Sequence, residues 1–337
     1  MSASGLAPLS LLEVGRVNRD GDVASALACA RETAQRAEAV GFNRVWVAEH
    51  HNIPGIASAA TSLVINHIAA GTRHIRVGAG GIMLPNHSPL VIAEQFGTLE
   101  ALHPGRIDLG LGRAPGTDGQ TLRALRRNHA AAERFPQDVL ELQALLAPPQ
   151  PNQAIVAVPG AGTEVPLWIL GSSTFGAMLA GELGLPYAFA SHFAPQQLHA
   201  ALSVYRQRFK PSRQLQRPHC MVGVNIIAAD SDEQAQFLAS SQRMGYTNLF
   251  RGSRLLSQPP VDNIDEFWTP AEKASVMAML ERSIIGSPGT VRRGVEALLE
   301  ETGADELMVV SDVYHQADRL RSCELIAEAT GLQPQAA

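Results

Sequence analysis

Short apolar runs recur along the chain, at Pro8–Val14, Arg44–Ala48, Ile75–Ala79, Arg106–Leu111, Pro166–Leu170, Tyr187–Ala190, Met221–Ala228 and Asp305–Val310. They are nearly continuous rather than alternating, which is the pattern of strands covered on both faces. Between them lie segments with helical spacing. Asp22 caps a helix that runs to about Val40 and stops at Gly41. Further helices are predicted over Ser58–Ala70, Ser88–Leu102, Phe135–Leu146, Gly171–Leu183, Pro195–Phe209, from Asp230 onward, over Ser287–Thr302 and over Ala317–Ala329. Residues 117–130 read as a loop with helical turns, and Ala154–Val158 as a short extra strand. Residues 242–285, with RGSRLLSQPPVDNIDEFWTP, break the rhythm and read as a long lid-like insertion before the last strand. Eight strands alternating with helices predict an α/β fold, a (β/α)8 TIM barrel, as a single domain over 1–337. A doubly wound open sheet is the alternative, but it leaves two edges to hide and nothing in the terminal strands protects an edge.

Composition narrows the function. The chain has 337 residues, 45% hydrophobic and 18% charged, which suits a large buried core. A net charge of −5 without a basic stripe argues against nucleic acid and anionic membranes. There is no apolar stretch of about 18 residues that would span a bilayer, and MSASGLAPLS lacks the features of a signal peptide. The three cysteines, Cys29, Cys220 and Cys323, are scattered, so a reducing cytoplasmic setting is expected, with no thiolate metal cage and the cysteines serving as small buried hydrophobes.

Candidate chemistry gathers at the C-terminal ends of the predicted strands, where α/β barrels place their sites. Glu49-His50-His51 ends the second strand. Adjacent residues of an extended segment face opposite ways, so His50 and His51 do not share one metal, and no zinc spacing occurs elsewhere. Gly80-Gly81 ends the third strand, as a plain turn or as a bend, even a cis peptide, beside a planar ring. Gly110-Leu-Gly-Arg-Ala-Pro-Gly116 ends the fourth; its spacing differs from a dinucleotide fingerprint, but Arg113 offers a guanidinium fork to phosphate. Gly171-Ser172-Ser173-Thr174 opens a helix after the fifth strand, where free N–H groups, the helix dipole and hydroxyls favour an anion. His192 follows the sixth strand and could line the pocket; His103 precedes its strand and lies on the far side, and His67 and His74 read as structural.

Taken together, Trp46-Val-Ala-Glu-His-His-Asn52, GAGGIMLPNHSP over 78–89, Glu94-Gln95, PGRIDLGLGRAPG over 104–116, Gly171-Ser-Ser173 and Gly184-Leu-Pro186 resemble the bacterial luciferase-like flavin monooxygenase family, in its single-chain, non-luminescent subgroup. The resemblance covers nearly the whole chain. It implies a TIM barrel that holds FMN at the C-terminal strand ends, with Gly80-Gly81 as a cis peptide against the flavin ring. His50 would be a site histidine with Glu49 beside it, and Arg113, Gly171, Ser172 and Ser173 would hold the phosphate. The 242–285 segment would match the mobile loop of luciferases. Gly112 stands where luciferase α chains carry a reactive cysteine, and Ser172 where they carry a glutamate, so light emission does not follow. The resemblance also implies O2 as co-substrate, a separate NAD(P)H:flavin reductase supplying reduced FMN, and a homodimer or higher homo-oligomer. A deazaflavin-dependent reductase or dehydrogenase, and a flavin binder without turnover, are the alternatives.

Overall fold

A computed structural model describes residues 6–334. The amino-terminal stretch read above as lacking a signal peptide begins in residues 1–5, which lie outside the described residues. The elements, in chain order, are β1 (Leu9–Glu13), α1 (Val23–Val40), β2 (Arg44–Val47), α2 (Thr61–Ala69), β3 (Arg76–Met83), α3 (Pro89–Leu102), β4 (Ile107–Gly112), α4 (Gly119–Ala124), α5 (Phe135–Leu146), β5 (Leu167–Gly171), α6 (Thr174–Leu183), β6 (Tyr187–Phe189), α7 (Leu198–Arg208), β7 (Cys220–Ala228), α8 (Asp232–Phe250), α9 (Pro270–Met279), β8 (Ile284–Gly286), α10 (Pro288–Thr302), β9 (Glu306–Val310) and α11 (Gln316–Thr330). Strands β1 to β7 pair in sequence and in parallel, β7 pairs with β9, and β9 returns to β1. The sheet is thus a closed eight-strand barrel, as the periodicity predicts. No helix among the described residues is long and apolar enough to cross a membrane.

Strand alternation divides the core in two. Leu11, Val45, Val77, Ile107, Leu109 and Ile169 face outward into a large core shared with the helices. Leu12, Trp46, Trp168, Met221 and Met308 face inward and fill the barrel. Alternating small residues let the helices close on the wall. Ala26, Ala30, Ala34 and Ala37 form the buried stripe of α1, which Asp22 caps through the Ser25 N–H and Gly41 ends at φ 93°.

Below Trp46 the barrel is plugged by charge. The Arg44 guanidinium lies 2.6 Å from Asp108 and 2.8 Å from Glu306 and sits 4.9 Å from the centre of the Trp168 ring. Arg76 also pairs with Asp108, Trp46 Nε1–H donates to Asp108 at 3.1 Å, and Asn43 Nδ2–H donates to Glu306 at 3.0 Å. Burial alone would raise the Glu306 pKa, but His219, Arg44 and Ser10 hold it down at about 2.

Three expectations need correction. Residues 154–158 are not a strand; Ile155 and Val158 are more than half exposed, because no sheet edge is left for them in a closed barrel. The 242–285 stretch is not one long loop. Its first nine residues continue α8, a second helix, α9, starts at a capping box formed by Thr269 and Glu272, and β8 pairs with Ile226–Ala228 at the upper end of β7, outside the barrel. Irregular chain is confined mainly to 251–269. Of the cysteines, Cys220 and Cys323 are buried and Cys29 is half-buried.

Candidate active site at the barrel mouth

The upper layer of the barrel is rich in glycine. Gly78 is level with Trp46 and Asp108, and Gly80 and Gly110 follow two positions further up their strands. A Cβ on Gly80 would fall 2.8 Å from both Leu12 Cδ1 and Trp46 Cβ, and one on Gly81 would fall 2.6 Å from the Gly110 carbonyl oxygen. Neither position has room for a Cβ, because barrel side chains and the neighbouring strand already pack against it. The Gly80-Gly81 peptide is cis, and the β3–β4 register shifts between Ala79 and Ile82. Bare glycine backbone thus stands at the upper end of β3, where a ligand can approach it closely.

Beside β4, β5 hands over to α6. Ser172, Ser173 and Thr174 are half-buried, and the N-cap residue Ser173 makes no side-chain capping bond. The first-turn N–H groups and the hydroxyls therefore face outward without an internal partner. Gly171 and Gly176 lie against the Tyr187 ring, whose hydroxyl donates to the Ser173 carbonyl at 3.1 Å and fixes the turn. Arg113, at the end of β4, brings its guanidinium to 4.0 Å from the centre of the Phe175 ring, in the first turn of α6. It makes no ion pair among the described residues. Arg113, far away in sequence, thus lies against the first turn of α6, next to the Gly171-Ser172-Ser173 turn.

Strand alternation separates the residues of the Glu49-His50-His51 run. His50 turns to the other side from Glu49, close to Arg16; burial lowers its pKa, as does Arg16. Arg16 pairs with Asp312 at 2.7 Å, so its charge is balanced. Glu49 and His51 turn the other way. Glu49 is 1% exposed and accepts from His51 Nε2 at 2.7 Å, His87 Nε2 at 2.9 Å, the Met83 N–H at 3.0 Å and Asn86 Nδ2 at 3.1 Å. Burial would raise its pKa; these bonds hold it at about 2. Adjacency in sequence suggested a catalytic pair. In the fold, Glu49 instead ties the β2 end to the chain after β3, and Asn86 extends the tie to the Pro115 carbonyl at 2.9 Å. Glu49, His51 and His87 are grouped closely enough to hold a metal, but the donors converging on the carboxylate already account for its charge.

On the opposite wall, β6 ends in Ser191-His192. The Ser191 hydroxyl donates to the Gly223 carbonyl at 2.5 Å, and Asn225 Nδ2 donates to the His192 carbonyl at 2.6 Å. Gln242 of α8 donates in turn to Asn225 at 3.0 Å. Tyr246, one turn further along α8, lies close enough to Arg16 and Asp312 to feel their charges, and burial raises its pKa to about 12. A strap over 251–260 crosses above. Ser257 exchanges backbone bonds with Val17 and Arg19, and Arg254 reaches Asp118 at 2.6 Å and the Asn52 carbonyl at 2.9 Å. Arg16, Asp312, Gln242 and Tyr246 were not visible as site residues from sequence. Only Arg16 and Asp312 carried a signal, each lying just past the end of an inner strand.

These features describe a TIM barrel whose upper end brings together close-packed glycines, the uncapped start of α6 with Arg113, and His50 near His192. The luciferase-like monooxygenase family model matches residues 11–306, and the chain belongs to that family. It is 49% identical over 317 residues to the luciferase-like monooxygenase of Escherichia coli (strain K12), covering 94% of this chain and 95% of that one. The structure of apo-MsnO8 superposes with a TM-score of 0.90 at 35% identity, over 98% of this chain and 100% of that chain. More distant structures share the fold at a TM-score of 0.71. One is the oxygenating constituent of 3,6-diketocamphane monooxygenase in complex with FMN, at 19% identity over 96% and 97% of the two chains. Another is an F420-dependent secondary alcohol dehydrogenase, at 15% identity over 96% and 99%.

Proposed function

We propose that this oxidoreductase of the luciferase-like family is an FMN-dependent monooxygenase that uses reduced FMN and O2 on a small organic substrate. One observation carries the reading: the Arg113 guanidinium lies against the first turn of α6, whose N-cap residue Ser173 makes no capping bond, so a cation and unpaired N–H groups stand side by side. Ser172, Ser173 and the first-turn N–H groups would take the phosphate, with Arg113 supplying the compensating charge. The glycine backbone would carry the ring. When bound, reduced FMN supplies the two electrons with which O2 gives one oxygen atom to the substrate and the other to water.

The chain's own residues do the rest. His50, whose pKa is lowered by burial and by Arg16, accepts or returns a proton at its imidazole. Glu49 is a positioning residue for the β2 and β3 ends rather than a proton carrier. The 251–260 strap and Tyr246 keep water from the mouth. A separate NAD(P)H:flavin reductase would supply the reduced cofactor, and a homo-oligomer in the cytoplasm is the expected working form.

The test is oxygen incorporation from labelled O2 with chemically reduced FMN across a panel of uncharged organic substrates. The proposal expects labelled product, lost in His50→Ala while FMN binding is kept. Tighter binding of F420 than of FMN, or full turnover by His50→Ala, would contradict it.

A further inference from the structure

His192 holds a position that the proton chemistry of His50 does not use. Its ring rests on Gly223, where a Cβ would fall 2.5 Å from Nδ1; any larger residue there would displace the imidazole. Nδ1 is buried with no hydrogen-bond partner, although the residue as a whole is half-buried. A buried N–H without a partner is rarer than an unpaired acceptor, so the neutral ring carries its proton on Nε2. Phe193 stacks edge-on at 4.8 Å and fixes the ring plane. The backbone beneath is held by Asn225, and Asn225 by Gln242, whose own Oε1 is a second buried atom without a partner on the same chain of bonds. Gly223 thus closes off the Nδ1 side, which leaves Nε2, with no partner among the described residues, as the ring atom open to a ligand.

His50 lies close to His192: burial takes the His192 pKa down to about 4, and the nearby His50 ring also disfavours its charged form. Arg16 and Asp312, close to His50, pair with each other.

From this geometry we infer that His192 is the substrate-binding donor of the site, taking an uncharged organic substrate through a hydrogen-bond-accepting oxygen next to its reacting atom. The inference rests on the flavin reading above. A carboxylate substrate would find no unpaired cation beside His192, and a purely apolar one would leave Nε2–H unsatisfied.

The experiment uses FMN-loaded wild type, His192→Phe and His192→Gln, titrated calorimetrically with acetophenone, ethylbenzene and benzoate. Acetophenone is expected to bind the wild type, to bind His192→Phe about tenfold more weakly, and to regain affinity in His192→Gln, which restores a donor. Ethylbenzene should not distinguish the three proteins, and benzoate should bind more weakly than acetophenone. Unchanged acetophenone affinity in His192→Phe, its failure to bind the wild type, or preferential benzoate binding would overturn the inference. Nitrogen NMR of the unloaded wild type gives an independent reading: the Nε2–H tautomer is expected at neutral pH, and an Nδ1–H tautomer refutes it. Failure to load FMN would remove the flavin reading while leaving the tautomer result to decide the His192 assignment.

Discussion

The two ends of the barrel are built from the same eight strands and treat polar groups in opposite ways. At the lower end, Arg44, Arg76, Asp108, Glu306, Ser10, Asn43 and His219 join one buried network in which the carboxylates are shared among several donors. At the upper end, among the described residues, Arg113 makes no ion pair, Ser173 makes no capping bond at the α6 start, and His192 Nδ1 and Gln242 Oε1 have no hydrogen-bond partner. Interior polar groups are costly unless matched. A matched end therefore reads as structure, and an unmatched end, in the same sheet, reads as a place where something else completes the bonding. Glu49 shows that the distinction holds within one dipeptide: it is fully matched, while its neighbour His50 turns to the other side, close to Arg16.

The largest expected effect is at the matched end. Asp108→Asn should lower stability by about 3–5 kcal/mol, because Arg44 and Arg76 lose a shared counter-charge in a buried setting. Denaturant titration checks this, and a loss below about 1 kcal/mol would show that the plug is not the tight network described. Glu49→Gln should cost about 1–3 kcal/mol at neutral pH and change the acid limb of stability. The Glu49 pKa is held at about 2 in the fold against an ordinary 4.5, so its contribution is complete above about pH 4.5 and disappears as pH falls toward 2. A wild-type minus Glu49→Gln difference that does not shrink over that window would refute the assignment.

Changes at the unmatched end should affect ligands more than folding. Arg113→Ala should weaken FMN binding about tenfold or more and leave the denaturation midpoint in place, measured by quenching of flavin fluorescence. The smallest effect belongs to the strap. Arg254→Ala removes a solvent-screened pair with Asp118, and should show mainly as faster limited proteolysis within 251–260, with no shift of the denaturation midpoint.

The sequence made the barrel legible because its strands are covered on both faces and each is stopped by glycine, proline or a polar cluster. Predicted and observed core strands differ only at their ends. The failures have physical causes. Ala154–Val158 has strand composition, but a closed barrel offers it no edge. The α8 extension and α9 were hidden by the Arg-, Ser- and Pro-rich text between them, although Thr269-Pro-Ala-Glu272 carried a capping-box signal. The three-residue β8 is too short to register by periodicity. At the site, single strand ends were readable, so His50, Gly80-Gly81, Arg113 and the Gly-Ser-Ser turn could be named. What closes them together was not: Arg16 with Asp312, Arg254 with Asp118, and Gln242 with Asn225 are pairs that only the folded chain brings into range.

The central claim is that the α6 start and Arg113 form an anion site that anchors a flavin by its phosphate. Equilibrium titration of the same protein with FMN and with riboflavin tests it most directly. The account predicts that riboflavin, which differs only in lacking the phosphate, binds at least about 100-fold more weakly, and that inorganic phosphate competes with FMN. Equal affinity for the two flavins would contradict it.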